Sequence, residues 1–318
     1  MEKLTTQAKW QPWKGVILQA GLVLFLFIPG ALIQYFLGMW GIVITELMLL
    51  AMAVIIVLVK KTPLKEVFPV KKPTVRDIIG TIILWIGTFP LSLISVGIMT
   101  AIMPEQASDT SSSLNELLTG EAMAMTFVTV AVLPPICEEA IVRGTTLSFF
   151  RSLKRDWVVV LIIGVFFGIL HLDPVRFGTT AILGASLAYL MVKRNNFVLP
   201  VLLHFINNGF ITLITFASYS AESDVDTTTT LANEGLLIVA VYLILGCLSP
   251  LFISGAIHLL NPGKKLHNIA RYLIAAFLCG VMFITGLAMY VAAVMTSPEF
   301  EEIYESIEAE QMEELEGT

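Results

Sequence analysis

Pro135-Ile136-Cys137-Glu138-Glu139-Ala140-Ile141-Val142-Arg143-Gly144 sets two adjacent carboxylates and a guanidinium inside an apolar run. If that run lies in lipid, each charge costs at least ~2.5 kcal/mol near mid-bilayer unless it is paired or hydrated. Composition places it in lipid. Of 318 residues, 56% are hydrophobic and only 14% are charged, and the mean hydropathy is +0.84. A soluble domain carries about 25% charged residues. Packing asks for no pair of glutamates in such a helix, so they either hold the bundle together or do chemistry.

Working outward, a spanning helix needs about 20 apolar residues. Nine stretches fit, at about 15–37, 41–59, 78–103, 122–150, 156–172, 177–192, 197–218, 235–260 and 269–296. The expected fold is an all-α polytopic membrane bundle of about nine helices, or eight if the short sixth segment fails to cross. The expected organisation is a block of N-terminal spans and an external loop (1–121), a four-helix core (122–218), further spans (219–296) and an acidic tail (297–318). The segment 104–121 reads as an external loop with a short surface helix.

The net charge of -6 hides a segregation. All but two of the 19 basic residues fall on one side of a nine-span chain. They lie before the first span, between the second and third, after the fourth and sixth, and between the eighth and ninth. The exceptions are Arg143 and Arg176. Cytoplasmic loops carry the excess of Lys and Arg, which predicts a cytoplasmic N-terminus and an external C-terminus. The first apolar run has no small-residue cleavage site after it and reads as a retained anchor. Short loops fit a bacterial inner membrane. Cys137, Cys247 and Cys279 lie in apolar runs at no metal-like spacing and read as small packing residues.

Polar groups inside the spans fall on three helices. Glu139 and Arg143 are four apart, in the favourable order for an i, i+4 pair. Glu138 sits ~100° around the helix, so the pair can neutralise itself and leave Glu138 facing a cavity. On the fifth span, Phe167 and His171 share a face, and Leu172-Asp173-Pro174 stops the helix. Gly164 and Gly168 permit close helix approach. On the seventh, His204 and Asn208 are one turn apart. Taken singly, these are as well explained by interhelical hydrogen bonding. Their depths agree, however. At 1.5 Å per residue, Glu138 stands roughly 20 Å above Arg151, and His171 roughly 21 Å above Trp157. His204 and Asn208 stand roughly 12 and 18 Å above Asn196. A carboxylate, two imidazoles and an amide in one slab of membrane make a set for proton transfer and oxyanion stabilisation.

The ordered set Glu-Glu-x-x-x-Arg, Phe-x-x-x-His and His-x-x-x-Asn resembles the CAAX-protease and bacteriocin-processing family of intramembrane proteases (CPBP, or Abi), which includes the CAAX prenyl endopeptidases. The resemblance covers about 122–215. It implies an intramembrane endopeptidase in which Glu138 and His171 activate water while His204 and Asn208 bind the oxyanion. The implied substrate is a membrane-associated peptide or protein, such as a prenylated C-terminus or a bacteriocin leader. Zinc on Glu138, His171 and His204 is the competing account, since two histidines and a glutamate form a known catalytic zinc set. The metal-free account is carried forward beside it. Membrane lipid is the expected surrounding, and nucleic acid is not an expected partner because the basic loops follow from topology.

Two other classes compete. A proton-coupled transporter would use Glu46, Glu138 and the histidines as a relay. A non-catalytic scaffold or bacteriocin-immunity protein would keep only the fold. Glu46 itself, beside Thr45, reads first as a helix-pairing residue and second as the lining of a water path. Gln19 and Gln34 read as interhelical hydrogen-bonders.

Overall fold

The computed structural model describes residues 10–221, 231–261, 263, 265–297, 300, 302, 304, 306, 307 and 312. Among them every regular element is helical. The main helices are α1 (Pro12–Phe25), α2 (Ala31–Val59), α3 (Val75–Ile102), α4 (Pro104–Thr119) and α5 (Met123–Phe150). They continue as α6 (Asp156–Leu170), α7 (Pro174–Arg194), α8 (Val198–Ala221), α9 (Leu231–Leu245), α10 (Ser249–Leu260) and α11 (Lys265–Met295). The acidic loop at 222–230 and most of the tail expected at 297–318 lie outside the described residues.

By length and composition, 6 described helical runs can cross a membrane. A bent pair, Gly235–Leu245 with Ser249–Leu260, makes 7 if it forms one span. This is an all-α polytopic membrane bundle. Each of the nine expected stretches is helical, and three features separate the two counts. The first two stretches form one run, Pro12–Val59. That run reverses at Gly38 (φ 54, ψ -131), a backbone conformation glycine tolerates without strain. A Cβ on Gly41 would sit 2.5 Å from the Ile33 carbonyl oxygen, so the chain doubles back on itself there. The fifth stretch, α6, has only 15 residues. The eighth is bent by 42° between α9 and α10.

Local sequence explains the helix ends that frame the site. Thr74 and Asp77 form a reciprocal capping box at the start of α3. Asp77 also pairs with Arg194 at 2.6 Å, tying α3 to the end of α7. Asn195 adopts the left-handed conformation that stops α7 (φ 43). Between α6 and α7, Asp173 caps the next helix by accepting from the backbone N–H of Val175 and Arg176, with Pro174 in its first turn.

Glycines let α6 and α7 meet along their backbones. A Cβ at either Gly164 or Gly168 would lie 2.9 Å from a carbonyl oxygen of α7. Around this pair sits the core, which includes Ile141, Ile163, Phe167, Leu187, Met191 and Leu203. Outward-facing apolar residues such as Leu273, Ile274 and Phe277 on α11 remain exposed, as lipid contact requires. Gln19 donates from α1 to the Phe166 carbonyl at 2.8 Å. The cysteines are free.

Candidate active site

α5 carries the acidic pair, and its geometry changes at that point. Glu139 ends an α-helical segment and Ala140–Thr146 continues as a π-helix, a wider turn that recurs at functional sites. Gly144 lies against the Phe68 ring with no room for a Cβ.

Glu139 and Arg143 are fully buried and paired at 2.9 Å. Arg143 also donates to the Gly184 carbonyl at 3.0 Å, and its guanidinium lies 4.1 Å from the Phe167 ring centre. The same Glu139 oxygen accepts from His204 Nδ1 at 2.9 Å. Glu139 therefore joins α5 to α8 as well as neutralising Arg143. With Nδ1–H held by a carboxylate, His204 Nε2 points away from Glu139, and it lies 3.9 Å from Glu138 Oε2.

Glu138 is only partly buried, with 20% of its side chain exposed. It lines a cavity of about 290 Å³ together with His171, Ile141 and Phe167. His171 donates Nδ1–H to the Phe167 carbonyl at 2.9 Å, which in a neutral ring leaves Nε2 as a lone pair. Phe167 lies between the two imidazoles, its ring centre 4.9 Å from His171 and 5.7 Å from His204. One aromatic ring thus spaces both histidines and takes the guanidinium on its face.

His204 and Asn208 do not line that cavity. Asn208 is anchored one turn further along α8, donating to the Val130 carbonyl of α5 at 3.0 Å. Its oxygen accepts from Asn207 at 3.2 Å, and Asn207 accepts from Trp85 Nε1 on α3 at 3.3 Å. This Trp85–Asn207–Asn208 chain fixes the amide's orientation and leaves its second N–H uncommitted. Neither Trp85 nor Asn207 stood out in the sequence, since nothing local to α3 announces a partner on α8.

The N-terminal helices, outside the family resemblance, supply the other wall. Gln34, Thr45 and Glu46 of α2 line the cavity with Leu26 and Leu49. Glu46 and Glu138 line the same cavity, and the Oε2 of each is buried with no hydrogen-bond partner. Of its two sequence readings, pairing and water-path lining, the cavity position bears on the second. Arg176, the second exception to the basic-loop pattern, begins α7 beside Asp173. It lines a separate cavity of about 290 Å³ with Asp109, Thr110 and Ser113.

Residues 120–210 match a family model, type II CAAX prenyl endopeptidase Rce1-like. This is the family grouping that the three motifs resemble, and the match contains all of them. The matched segment runs from the start of α5 into α8, so it holds Glu138, Glu139, Arg143, His171, His204 and Asn208 but not Glu46. No curated protein and no solved structure matches the chain.

The zinc account needs three donors around one point. Among the described residues, no three His, Cys, Asp or Glu side chains converge in that way. The reaction steps are therefore assigned to the protein's own side chains.

Proposed function

We propose that the protein is an intramembrane endopeptidase that hydrolyses a peptide bond of a membrane-associated substrate, of the prenylated or leader-peptide kind. The Rce1-like match supports the reaction class. The observation that carries the residue assignment is the cavity shared by Glu138 and His171, with His204 Nε2 3.9 Å from Glu138 Oε2.

In this reading, water sits in the cavity between Glu138 and His171. Glu138 takes one proton as general base. The lone pair on His171 Nε2 accepts the other hydrogen and orients the oxygen. As hydroxide attacks the carbonyl carbon, charge builds on the carbonyl oxygen. His204 can donate Nε2–H to it while Nδ1–H stays on Glu139, which takes the imidazolium form. Glu139 faces both cations, and the developing oxyanion supplies the second negative charge they need. The uncommitted N–H of Asn208 is the second donor. Collapse of the tetrahedral intermediate breaks the C–N bond, and Glu138 returns its proton to the leaving amine.

The apolar walls from Leu26, Leu49, Ile141 and Phe167 suit a lipid-like or apolar substrate segment. A comparative search for peptides lost from cells carrying Glu138→Gln tests the assignment and reports the substrate. Loss of a defined set of processed termini, at equal protein abundance, supports it. An unchanged peptide population contradicts it.

A further inference from the structure

Glu46 has no role in the chemistry above, yet it is 7% exposed in the middle of an apolar helix. A buried carboxyl without a partner costs free energy, and a leucine at 46 would avoid that cost. No described cation pairs with it. Neighbouring Thr45 spends its hydroxyl on the Gly41 carbonyl and offers nothing. Glu46 shares the cavity wall with Glu138, and the Oε2 of each is buried with no hydrogen-bond partner. A hydrogen bond between two carboxyl groups runs through a proton carried by one of them. Such a bond restricts where the Glu138 carboxyl can point. Glu138 is otherwise loosely held, because its Oε2 has no hydrogen-bond partner and His204 is 3.9 Å away.

We propose that Glu46 is the positioning residue for Glu138, fixing the general base against the cavity wall from a helix outside the matched segment. The inference rests on the endopeptidase reading of that site. It makes the hairpin of α1 and α2 a working part of the active site as well as a wall. The reversal at Gly38 matters for the same reason, since it folds Gln34 back beside Thr45 and Glu46 on the same cavity.

The test uses the full chain in proteoliposomes and an internally quenched peptide carrying a farnesylated cysteine near its C-terminus. Four proteins are compared: wild type, Glu138→Gln, Glu46→Met and Glu46→Gln. Methionine matches the length of glutamate and removes the carboxyl group. Glutamine keeps an N–H that can donate to Glu138. Glu46→Met is expected to lose at least tenfold in kcat with KM and thermal midpoint unchanged. Glu46→Gln is expected to recover most of that loss. Should Glu46→Met not accumulate, Glu46→Ala takes its place. Wild-type kcat in the methionine or alanine variant overturns the inference and leaves the endopeptidase reading intact. So does a loss that only tracks the folded fraction, or a glutamine variant as impaired as methionine. No cleavage by wild type, or full cleavage by Glu138→Gln, overturns the endopeptidase reading and this inference with it.

Discussion

His204 Nδ1 and Arg143 Nη1 bind the same oxygen of Glu139, each at 2.9 Å. One buried carboxylate thus sets the position of an ion-pair partner on its own helix and of an imidazole on another. The i, i+4 spacing showed the first of these roles in the sequence. The second needs the bundle to be folded.

Removing that carboxylate should therefore have two separable effects. Glu139→Ala leaves a buried guanidinium unpaired, at about 3–5 kcal/mol, and should lower abundance and thermal midpoint. Glu139→Gln keeps an oxygen that can accept both hydrogen bonds but removes the charge. It should accumulate better than the alanine variant and still turn over more slowly than wild type. Thermal unfolding and turnover on the same preparations check this. A glutamine variant with wild-type kcat would confine Glu139 to a packing role.

Asn208→Ala removes one donor and leaves the base in place. Loss of a single oxyanion donor lowers kcat about 10²–10³-fold in known cases. Measurable turnover with kcat reduced on that scale and KM little changed is expected. An unaffected kcat would remove Asn208 from the oxyanion site, leaving it as a tie between α8 and Val130.

Gly168→Ala tests the packing that holds His171. The added Cβ would meet the Phe177 carbonyl oxygen at 2.9 Å and its ring at 3.0 Å. Backbone cannot yield as a flexible side chain can, so α6 should shift. Overpacking of this kind costs about 1–3 kcal/mol. A lower thermal midpoint is expected, with turnover lost because His171 caps the same helix. An unchanged midpoint would show that α6 and α7 are less tightly apposed.

The segregation of basic residues predicts that a reporter fused after Thr318 lies outside the cytoplasm. A fusion active only in the cytoplasm would invert that orientation.

Much of the site was legible because its signals are local. Glu139–Arg143 follows from helix spacing. The end of α6 at His171 follows from Leu172-Asp173-Pro174, and the close approach of α6 and α7 follows from Gly164 and Gly168. Contacts between helices left no such trace. The His204–Glu139 bond, the Trp85–Asn207–Asn208 chain and the cavity shared by Glu46 and Glu138 each join residues far apart in the chain. Glu46 was visible only as an ionisable group in an apolar run. The gap between the first two apolar stretches, 38–40, contains the reversal at Gly38, although no polar turn residues mark it. Hydropathy also cannot register the π-helical turn at Ala140–Thr146, where backbone geometry changes without a change in composition.

The central claim is that Glu138 is the base that activates water. The most direct measurement is single-turnover cleavage of the farnesylated probe peptide by wild type and Glu138→Gln in proteoliposomes, at matched folded protein. Glutamine is nearly isosteric with glutamate but cannot take a proton. The account predicts cleavage by wild type and none above background by Glu138→Gln, with equal thermal midpoints. Cleavage by the variant at the wild-type rate would contradict it.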